Sequence, residues 1–277
     1  IHCAAKPQER RVNKVAILPL FGTIFPRANL MTDISGATSA ERFSKDFAAL
    51  VRDPEIGAIV LDVDSPGGQV QGVDELANQI YEARQVKPVV AIANHQMASA
   101  AYWVASAASE LVISPSGEVG SIGVIAVHRD ISAAQERDGV RTTIISQGKY
   151  KGEGNPYQPL GEEARAALQA RVDEAYDSFV EAVARNRGVT VETVRNGFGE
   201  GRTVTARKAV ELGMADRVDT LDGVLTGLLG TSTFSISDMR PKAETFDADQ
   251  QVASSAQPVS EPDREANRLR DYVRIYK

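Results

Sequence analysis

Apolar and polar positions follow two different periods along most of this chain. Four runs rich in branched apolar residues predict buried strands, at residues 12–24, 56–63, 88–93 and 110–114. Between these runs apolar residues recur every three or four positions, as at Val73, Leu76 and Ile80, which predicts helices with one buried face. The longest helix is predicted at residues 161–187. Strands that alternate with helices favour an α/β domain with a mainly parallel sheet.

The remaining segments of the domain follow the same two periods less regularly. Residues 119–127 and 142–146 are extended and apolar, which is typical of strands. Residues 131–138, 191–198 and 206–212 predict shorter helices. No internal repeat is present.

Composition divides the chain into three parts. Residues 1–11 are polar and predict a flexible N-terminal segment, while residues 12–230 hold the alternating elements of one domain. Residues 231–277 are predicted to be a low-complexity linker or disordered tail, because they begin with a long stretch rich in Ser, Ala, Gln, Pro and Asp. Residues 261–276 regain modest helical potential, with Val273 on the apolar face.

Charge and composition exclude several classes of function. A formal net charge of −6 gives no support to a nucleic-acid-binding role. The single cysteine, Cys3, and the three histidines have no standard metal-ligand spacing, so no metal site is expected. No run of about 18 apolar residues predicts a transmembrane helix, and no signal peptide is visible. We therefore expect a soluble protein.

Ser99 lies at a predicted corner between the strand at residues 88–93 and an apolar helix. A serine there, flanked by small residues, can act as an exposed nucleophile beside the helix N-terminal amides. The alternative is a plain N-cap, which is the more common role of such a serine. Gly67 and Gly68 follow another strand, and their backbone amides can form an anion pocket or simply a tight turn.

A serine nucleophile needs a base, and the residues alone leave several candidates. His95 is only four positions before Ser99, but no third member of a triad is evident, and His128 is more typical of a structural residue. Lys149 and Lys151 stand in a Gly-rich segment after a predicted strand. A lysine base must be neutral, which requires its pKa to fall several units below about 10.4. Composition alone favours two solvated lysines.

Five motifs in a fixed order indicate a family. They are DVDSPGG at 62–68, MASAAYWVAS at 97–106, VGSIGV at 119–124, GKYKGEGNP at 148–156 and RTVTARKAVELGMADRVD at 202–219. With them the chain resembles the signal-peptide-peptidase-A-like serine peptidases over residues 12–229. That family has the ClpP/crotonase fold, with stacked ββα units, a mainly parallel sheet and a helical C-terminal part. Within the family the chain most resembles the prohead (capsid maturation) proteases of lambda-like phages, through ANLMTDISGATS at 28–39 and EGNPYQPL at 153–160.

The resemblance implies a role for each matching position. Ser99 matches the nucleophile, Lys151 the general base, and Ser121 a serine that orients this lysine. The backbone amides of Gly68 and Ala100 match the oxyanion hole. Many relatives have Ser-Gly-Gly-Tyr at the nucleophile where this chain has Ser-Ala-Ala-Tyr, but alanine also supplies an amide and permits close approach.

The resemblance also implies partners. An extended peptide would pair with the strand edge that begins at Gly67 and includes Val70, and no metal or organic cofactor would be needed. The family's serine and lysine can come from neighbouring subunits, so an oligomeric ring is implied. The expected substrate is a scaffold or capsid-related protein, cut in the bacterial host cytoplasm or the prohead.

Three other functions remain open at this point. One is signal-peptide-peptidase-type degradation of membrane or leader peptides. Another is a crotonase-like acyl-CoA enzyme, which explains Gly67 and Gly68 but leaves Ser99 and Lys151 without a purpose. The third is a non-catalytic assembly protein, against which the intact Ser99 and Lys151 argue.

Overall fold

In this computed structural model of the chain, the described residues are 14–28, 36–230 and 273–276. The predicted N-terminal segment 1–11 lies outside them, as does the predicted linker at residues 231–262.

One sheet organises the described residues. Its strands are β1 (Val15–Phe25), β2 (Thr38–Ser39), β3 (Ala58–Gly68), β4 (Val89–Ala98), β5 (Glu110–Ile113), β6 (Glu118–Gly120), β7 (Thr203–Thr205), β8 (Arg217–Val218) and β9 (Arg274–Tyr276). Their order is β2-β1-β3-β4-β5-β8, with β6 between β4 and β7, and with β9 on β1. Every pairing is parallel except β1–β9 and β6–β7, which confirms the predicted α/β class with a mainly parallel sheet.

Helices cover both faces of this sheet. They are α1 (Ala40–Arg52), α2 (Val73–Ala83), α3 (Ala100–Ser106), α4 (Ser132–Arg137), α5 (Glu162–Arg187), α6 (Val191–Gly197), α7 (Ala206–Glu211) and α8 (Leu221–Leu229). Along β3, Leu61 and Val63 face the larger core, which α1, α2, α3 and the C-terminal part of α5 cover. Val60 faces the smaller cluster, which α8 covers with Val224 and Leu225. Alternating strand residues thus face opposite layers.

The predicted strands at residues 119–127 and 142–146 are largely wrong. Only Glu118–Gly120 forms a strand in the first segment, and the second has no regular structure. In both, apolar side chains point to solvent: Ile125, Val127 and Ile145 are 88%, 82% and 95% exposed. A strand needs a partner for its backbone, and within the described residues neither 122–127 nor 142–146 has one. We call residues 122–160 the arm.

The structure also differs from the predicted lengths of two strands and from the helix predicted at residues 261–276. Strand β3 is longer than predicted, because β1 continues far enough for Thr23 and Ile24 to pair with Gly67 and Gly68. Strand β4 is longer because its residues 96–98 pair with β6. The glycine pair is therefore the end of a strand and not a tight turn. The predicted helix at residues 261–276 is wrong where it can be compared, since Arg274–Tyr276 is a strand.

A partly buried ion pair joins α5 to the segment before β8. The Arg187 guanidinium donates to both carboxylate oxygens of Asp216, at 3.0 and 2.6 Å, and the Leu111 amide donates to Oδ2 at 2.7 Å. Burial on its own would raise the pKa of the Asp216 carboxyl. The hydrogen bonds from Arg187 and Leu111, together with the positive charge, outweigh burial and lower this pKa below its ordinary value of 3.8.

Replacing Asp216 by Asn should remove a pH-dependent part of the free energy of unfolding. A carboxyl whose pKa is lowered in the folded state stabilises the protein above its unfolded pKa, and this stabilisation is lost as the pH falls through the folded pKa. Because solvent screens a carboxylate that is 40% exposed, Asp216→Asn should cost about 1 kcal/mol at pH 6 and progressively less below pH 3.8. Urea unfolding from pH 6 to pH 2.5 measures this difference.

The matched control is Asp177→Asn, which breaks an ion pair with Arg195 in which the carboxylate is half exposed. We expect a change within about 0.5 kcal/mol, since exposed ion pairs contribute little. A cost for Asp216→Asn that stayed constant across the pH range would contradict the lowered pKa.

Candidate active site

Ser99 occupies a strained corner between β4 and α3. Its backbone has φ 51° and ψ −125°, outside the extended conformation that an N-cap residue normally has, and its side chain makes no capping hydrogen bond. The Ser99 amide donates to Gly120 O at 2.8 Å, and Trp103 N donates to Ser99 O at 3.0 Å, so the corner is held from both sides. Strain of this kind costs on the order of 1–3 kcal/mol and collects at functional sites. The geometry favours an exposed nucleophile over a plain N-cap.

The end of β3 lies directly against this corner. A Cβ atom at Gly67 would fall 2.6 Å from Ser99 Cβ and 2.9 Å from Ala100 N, and Gly67 has φ +98°. Glycine is needed there for both reasons: a side chain would be strained, and it would occupy the space of Ser99. The structure thus brings Gly67, Ser99 and Ala100 together.

Two backbone amides at this contact are placed to hold an anion. The Gly67 amide donates to Ser65 Oγ, and the Gln69 amide donates to Ile24 O on β1. Because successive peptide groups of a strand point to opposite edges, the Gly68 amide between them faces away from β1, towards the side of Ser99. Ala100 N is at the start of α3, where backbone amides lack helical acceptors. These are the two predicted oxyanion donors.

Ser65 supports the glycine pair, and the sequence analysis gave it no role. Its side chain is fully buried; the hydroxyl donates to Gly22 O at 2.5 Å and accepts from the Gly67 amide at 3.1 Å. On strand β2, Thr38 Oγ1 accepts from the Phe21 amide and donates to Phe21 O beside the bulge in β1. The motif DVDSPGG carried the signal for Ser65, since a polar residue inside a buried strand needs partners.

Ser121 is brought close to the nucleophile by β6. The residue before it, Gly120, pairs with Ala98 and accepts the hydrogen bond from Ser99 N. Ser121 also has a positive φ, of 54°, and its amide donates to Arg202 O at 2.9 Å. Two of the predicted site serines therefore have strained backbones on adjacent strand ends.

The predicted base is not joined to the nucleophile by any contact between described residues. Lys151 is exposed, in a turn of the arm that is closed by its own amide donating to Gly148 O at 3.1 Å. The neighbouring Lys149 donates to Glu163 at 2.8 Å and to the Tyr150 hydroxyl at 2.7 Å. The Glu163 carboxylate, followed by the Tyr150 hydroxyl, raises the pKa of Lys149, which keeps this lysine protonated. Lys149 is therefore unsuited to accept a proton.

Both histidines of the domain are occupied elsewhere. His95 lies 3.3 Å from Asp64 and is highly exposed, and His128 Nε2 contacts Asn155 O at 2.9 Å within the arm. Neither contacts Ser99 in the described part of the chain. Nearby, burial raises the pKa of the Asp62 carboxyl, although the hydrogen bond from Asn94 opposes this shift.

A cleft of about 530 Å³ opens between α3, α5 and the arm. Its apolar wall includes Val70, Trp103, Ile125 and Leu168, and charged side chains of α2 and α5 stand at its rim. Trp103 stacks on Phe179 with ring centroids 4.6 Å apart, and its indole N–H has no acceptor among the described residues. The predicted substrate-contacting residue Val70 thus lines a cavity that can take an apolar side chain.

The described residues lack two further kinds of feature, a metal-ligand cluster and a membrane-spanning helix. They contain no cluster of three or more His, Cys, Asp or Glu side chains that could hold a metal ion. Among the helices described, none has both the length and the apolar content needed to cross a membrane.

Replacing Gly67 by Ala should inactivate the Ser99 hydroxyl without unfolding the protein. The new Cβ would collide with Ser99 and displace the neighbouring Gly68 amide, so labelling of Ser99 by a fluorophosphonate probe should slow by about 100-fold or more. The control is Gly72→Ala, where φ is +84° but the nearest atom to a Cβ lies 3.9 Å away. It carries the same backbone strain without the collision. Equal labelling of both variants, with both folded by circular dichroism, would contradict the site.

Comparison with known proteins relates this geometry to a family. A family model described as "Peptidase family S49" matches residues 82–230. The chain is 32% identical over 268 residues to "Capsid assembly protease C" of Escherichia phage lambda, covering 89% of this chain and 61% of that protein. It is 35% identical over 209 residues to "Head-tail preconnector protein GP5" of Enterobacteria phage P21, covering 76% of this chain and 41% of that one. The chain therefore spans about three-fifths and two-fifths of these relatives.

A solved structure shows the same fold. The 1510-N membrane-bound stomatin-specific protease, solved as a mutant, aligns with a TM-score of 0.50 at 12% identity, over 76% of this chain and 82% of that one. At this identity the likeness concerns the fold alone, which agrees with the predicted ClpP/crotonase class. The family model covers more than half of the chain, which confirms the predicted kinship with signal-peptide-peptidase-A-like peptidases: the chain belongs to peptidase family S49.

Proposed function

We propose that this chain is a serine endopeptidase with a Ser99–Lys151 dyad. The observation that carries the proposal is the strained Ser99 corner, against which Gly67 is in direct contact. A structural N-cap has no need of such a conformation. A nucleophile does, because the corner exposes its hydroxyl beside two unused backbone amides.

The mechanism follows from these positions. Neutral Lys151 accepts the Ser99 proton while the hydroxyl oxygen attacks the scissile carbonyl. The amides of Gly68 and Ala100 hold the oxyanion that forms, and each such donor contributes about 3 kcal/mol in serine peptidases. Protonated Lys151 then gives its proton to the leaving amine, and a water activated by the same lysine releases the acyl group. Ser121 orients the lysine.

The choice of Lys151 over Lys149 rests on their surroundings. Lys149 is tied to Glu163 and Tyr150, whereas Lys151 has no side-chain partner among the described residues. Both lie on the arm, which carries the exposed apolar side chains Ile125 and Val127. Exposed apolar residues on an extended segment mark an interaction surface. We infer that the arm packs on a second copy in an oligomeric ring and that Lys151 completes the site of a neighbouring subunit.

Substrate binding would use two unpaired strand edges beside Ser99. After Ser65, β3 pairs only with β1, so the edge from Gly67 to Val70 that faces Ser99 is free. Opposite it, the backbone of residues 122–130 makes no hydrogen bond with any described backbone group. An extended peptide can pair with such edges. One of its apolar side chains would then enter the cleft lined by Val70 and Trp103.

The biological substrate we propose is a scaffold or capsid-related protein, cut during head maturation of a phage. Support comes from the two phage relatives and from the length of chain over which they align. Degradation of leader or membrane peptides is the alternative within the same family. Both use the same chemistry, so they differ only in which polypeptide reaches the groove.

Loss of either dyad residue should abolish cleavage. Ser99→Ala removes the nucleophile and Lys151→Met removes the base while keeping the length of the side chain, so each should lower the cleavage rate of an unfolded protein substrate at least about 1,000-fold. Lys149→Met is the matched control: it removes a lysine two positions away and should keep the rate within a few-fold. Mass analysis of the fragments measures the outcome.

Three results would overturn this assignment. Full activity of Lys151→Met together with loss in Lys149→Met would move the base to Lys149. Absence of fluorophosphonate labelling at Ser99 in the folded wild type, combined with hydrolysis of acyl-CoA thioesters, would favour the crotonase-like alternative. A folded wild type with neither labelling nor cleavage would indicate the non-catalytic assembly protein.

Mixing two inactive variants tests whether the site is shared. If Lys151 serves the Ser99 of a neighbour, subunits with Ser99→Ala and subunits with Lys151→Met complement each other when they assemble together. Random mixing in equal amounts should restore on the order of a quarter of the wild-type rate. A mixture that assembles but stays inactive would place both residues of each dyad in one subunit.

A further inference from the structure

The edge of β1 opposite β3 is occupied by a strand from the far end of the chain. Arg274–Tyr276 pairs antiparallel with β1, with Tyr276 opposite Val15 and Arg274 opposite Ile17. The same edge pairs with β2 only at its other end, at Ile24 and Phe25. Without β9, the backbone groups of β1 at Val15–Ile17 would have no partner on this side.

Side chains on both faces of the sheet anchor this short strand. Val273 is only 4% exposed and belongs to the larger core. Tyr276 packs on the opposite face, against the cluster that contains Val15 and Ile17. Arg274 brings a positive charge near the half-buried Asp62 carboxyl. Burial raises the pKa of this carboxyl, and the charge of Arg274 opposes that shift in part. Ile275, by contrast, is 54% exposed and contributes little.

We propose that residues 273–276 form a latch, which closes the edge of β1 while the chain from 231 to 272 is continuous and leaves it when that stretch is cut. Release exposes the backbone of Val15–Ile17 to pairing by another strand. The docking of residues 273–276 on β1 does not depend on the peptidase activity of this chain, since any protease can make the cut.

The contact between β9 and β1 is small, so we expect it to persist only while both strands belong to one continuous chain. Ordering a three-residue strand with two apolar anchors costs the conformational entropy of its backbone and side chains. When it is part of the same chain, a linker maintains it at an effective concentration of millimolar order. A separate peptide in a dilute solution lacks this advantage, so it dissociates.

Opening the latch exposes a backbone edge of β1 and apolar surface beside it. A sheet edge with free N–H and C=O groups is a template for strand addition, and proteins normally keep such edges covered. Loss of Val273 also uncovers apolar surface at the edge of the larger core. The peptidase domain would therefore gain a strand-binding edge at the moment at which residues 273–276 leave it.

The test is hydrogen exchange before and after a cut made by an added protease. A recognition site for a sequence-specific protease is placed between residues 240 and 250 in the Ser99→Ala protein, so the outcome is independent of the proposed peptidase activity. Peptides that contain residues 14–18 and 273–276 should be protected in the intact chain. After cutting, both should exchange at least about tenfold faster, while peptides of β4 stay unchanged.

Matched variants separate the latch from a general loosening. Val273→Asp should remove protection of residues 14–18 without any cut, because it places a charge in the core. Ile275→Thr changes the neighbouring exposed side chain, keeps a branched residue, and should behave as the parent does. Protection that persists after the cut would overturn the proposal, as would an intact chain in which residues 14–18 exchange freely.

Discussion

The contact between Gly67 and Ser99 is the constraint on which the site depends. A Cβ atom at Gly67 would stand 2.6 Å from Ser99 Cβ, so only a backbone without a side chain fits against Ser99. Several distant features serve this contact. Strand β1 has to bulge near Gly22, Ser65 has to span from that bulge to the Gly67 amide, and β6 has to hold Ser99 by its amide.

The residues of the proposed site come from different parts of the fold. Ser99 and the amides of Gly68 and Ala100 lie at the ends of elements, beside residues of the larger core. Lys151 lies on the arm, where side chains such as Ile145 face solvent. If Lys151 serves a neighbouring subunit, as we propose, a single copy would be inactive and an oligomer active.

Strand β1 connects the site to the far end of the chain. One of its edges pairs along its length with β3 and so positions the glycine pair. Its other edge carries β9, whose anchors Val273 and Tyr276 pack on opposite faces of the sheet. The same strand thus supports the oxyanion donors and bears the C-terminal segment.

Local sequence determined the α/β class, the position of the corner at Ser99 and the glycine pair, because periodicity and turn residues act over a few positions. It did not determine how far β3 continues, since that depends on pairing with Ile24, a long way off in the chain. The residues alone left two lysines of one motif open and the resemblance favoured Lys151; our proposal of Lys151 is supported by the carboxylate of Glu163, which α5 brings near Lys149. Residues 122–127 and 274–276 show the same limit in opposite directions. An apolar extended stretch found no partner strand and remained exposed, while a segment of helical pattern found the free edge of β1 and became a strand, because strand formation is decided by a distant backbone partner.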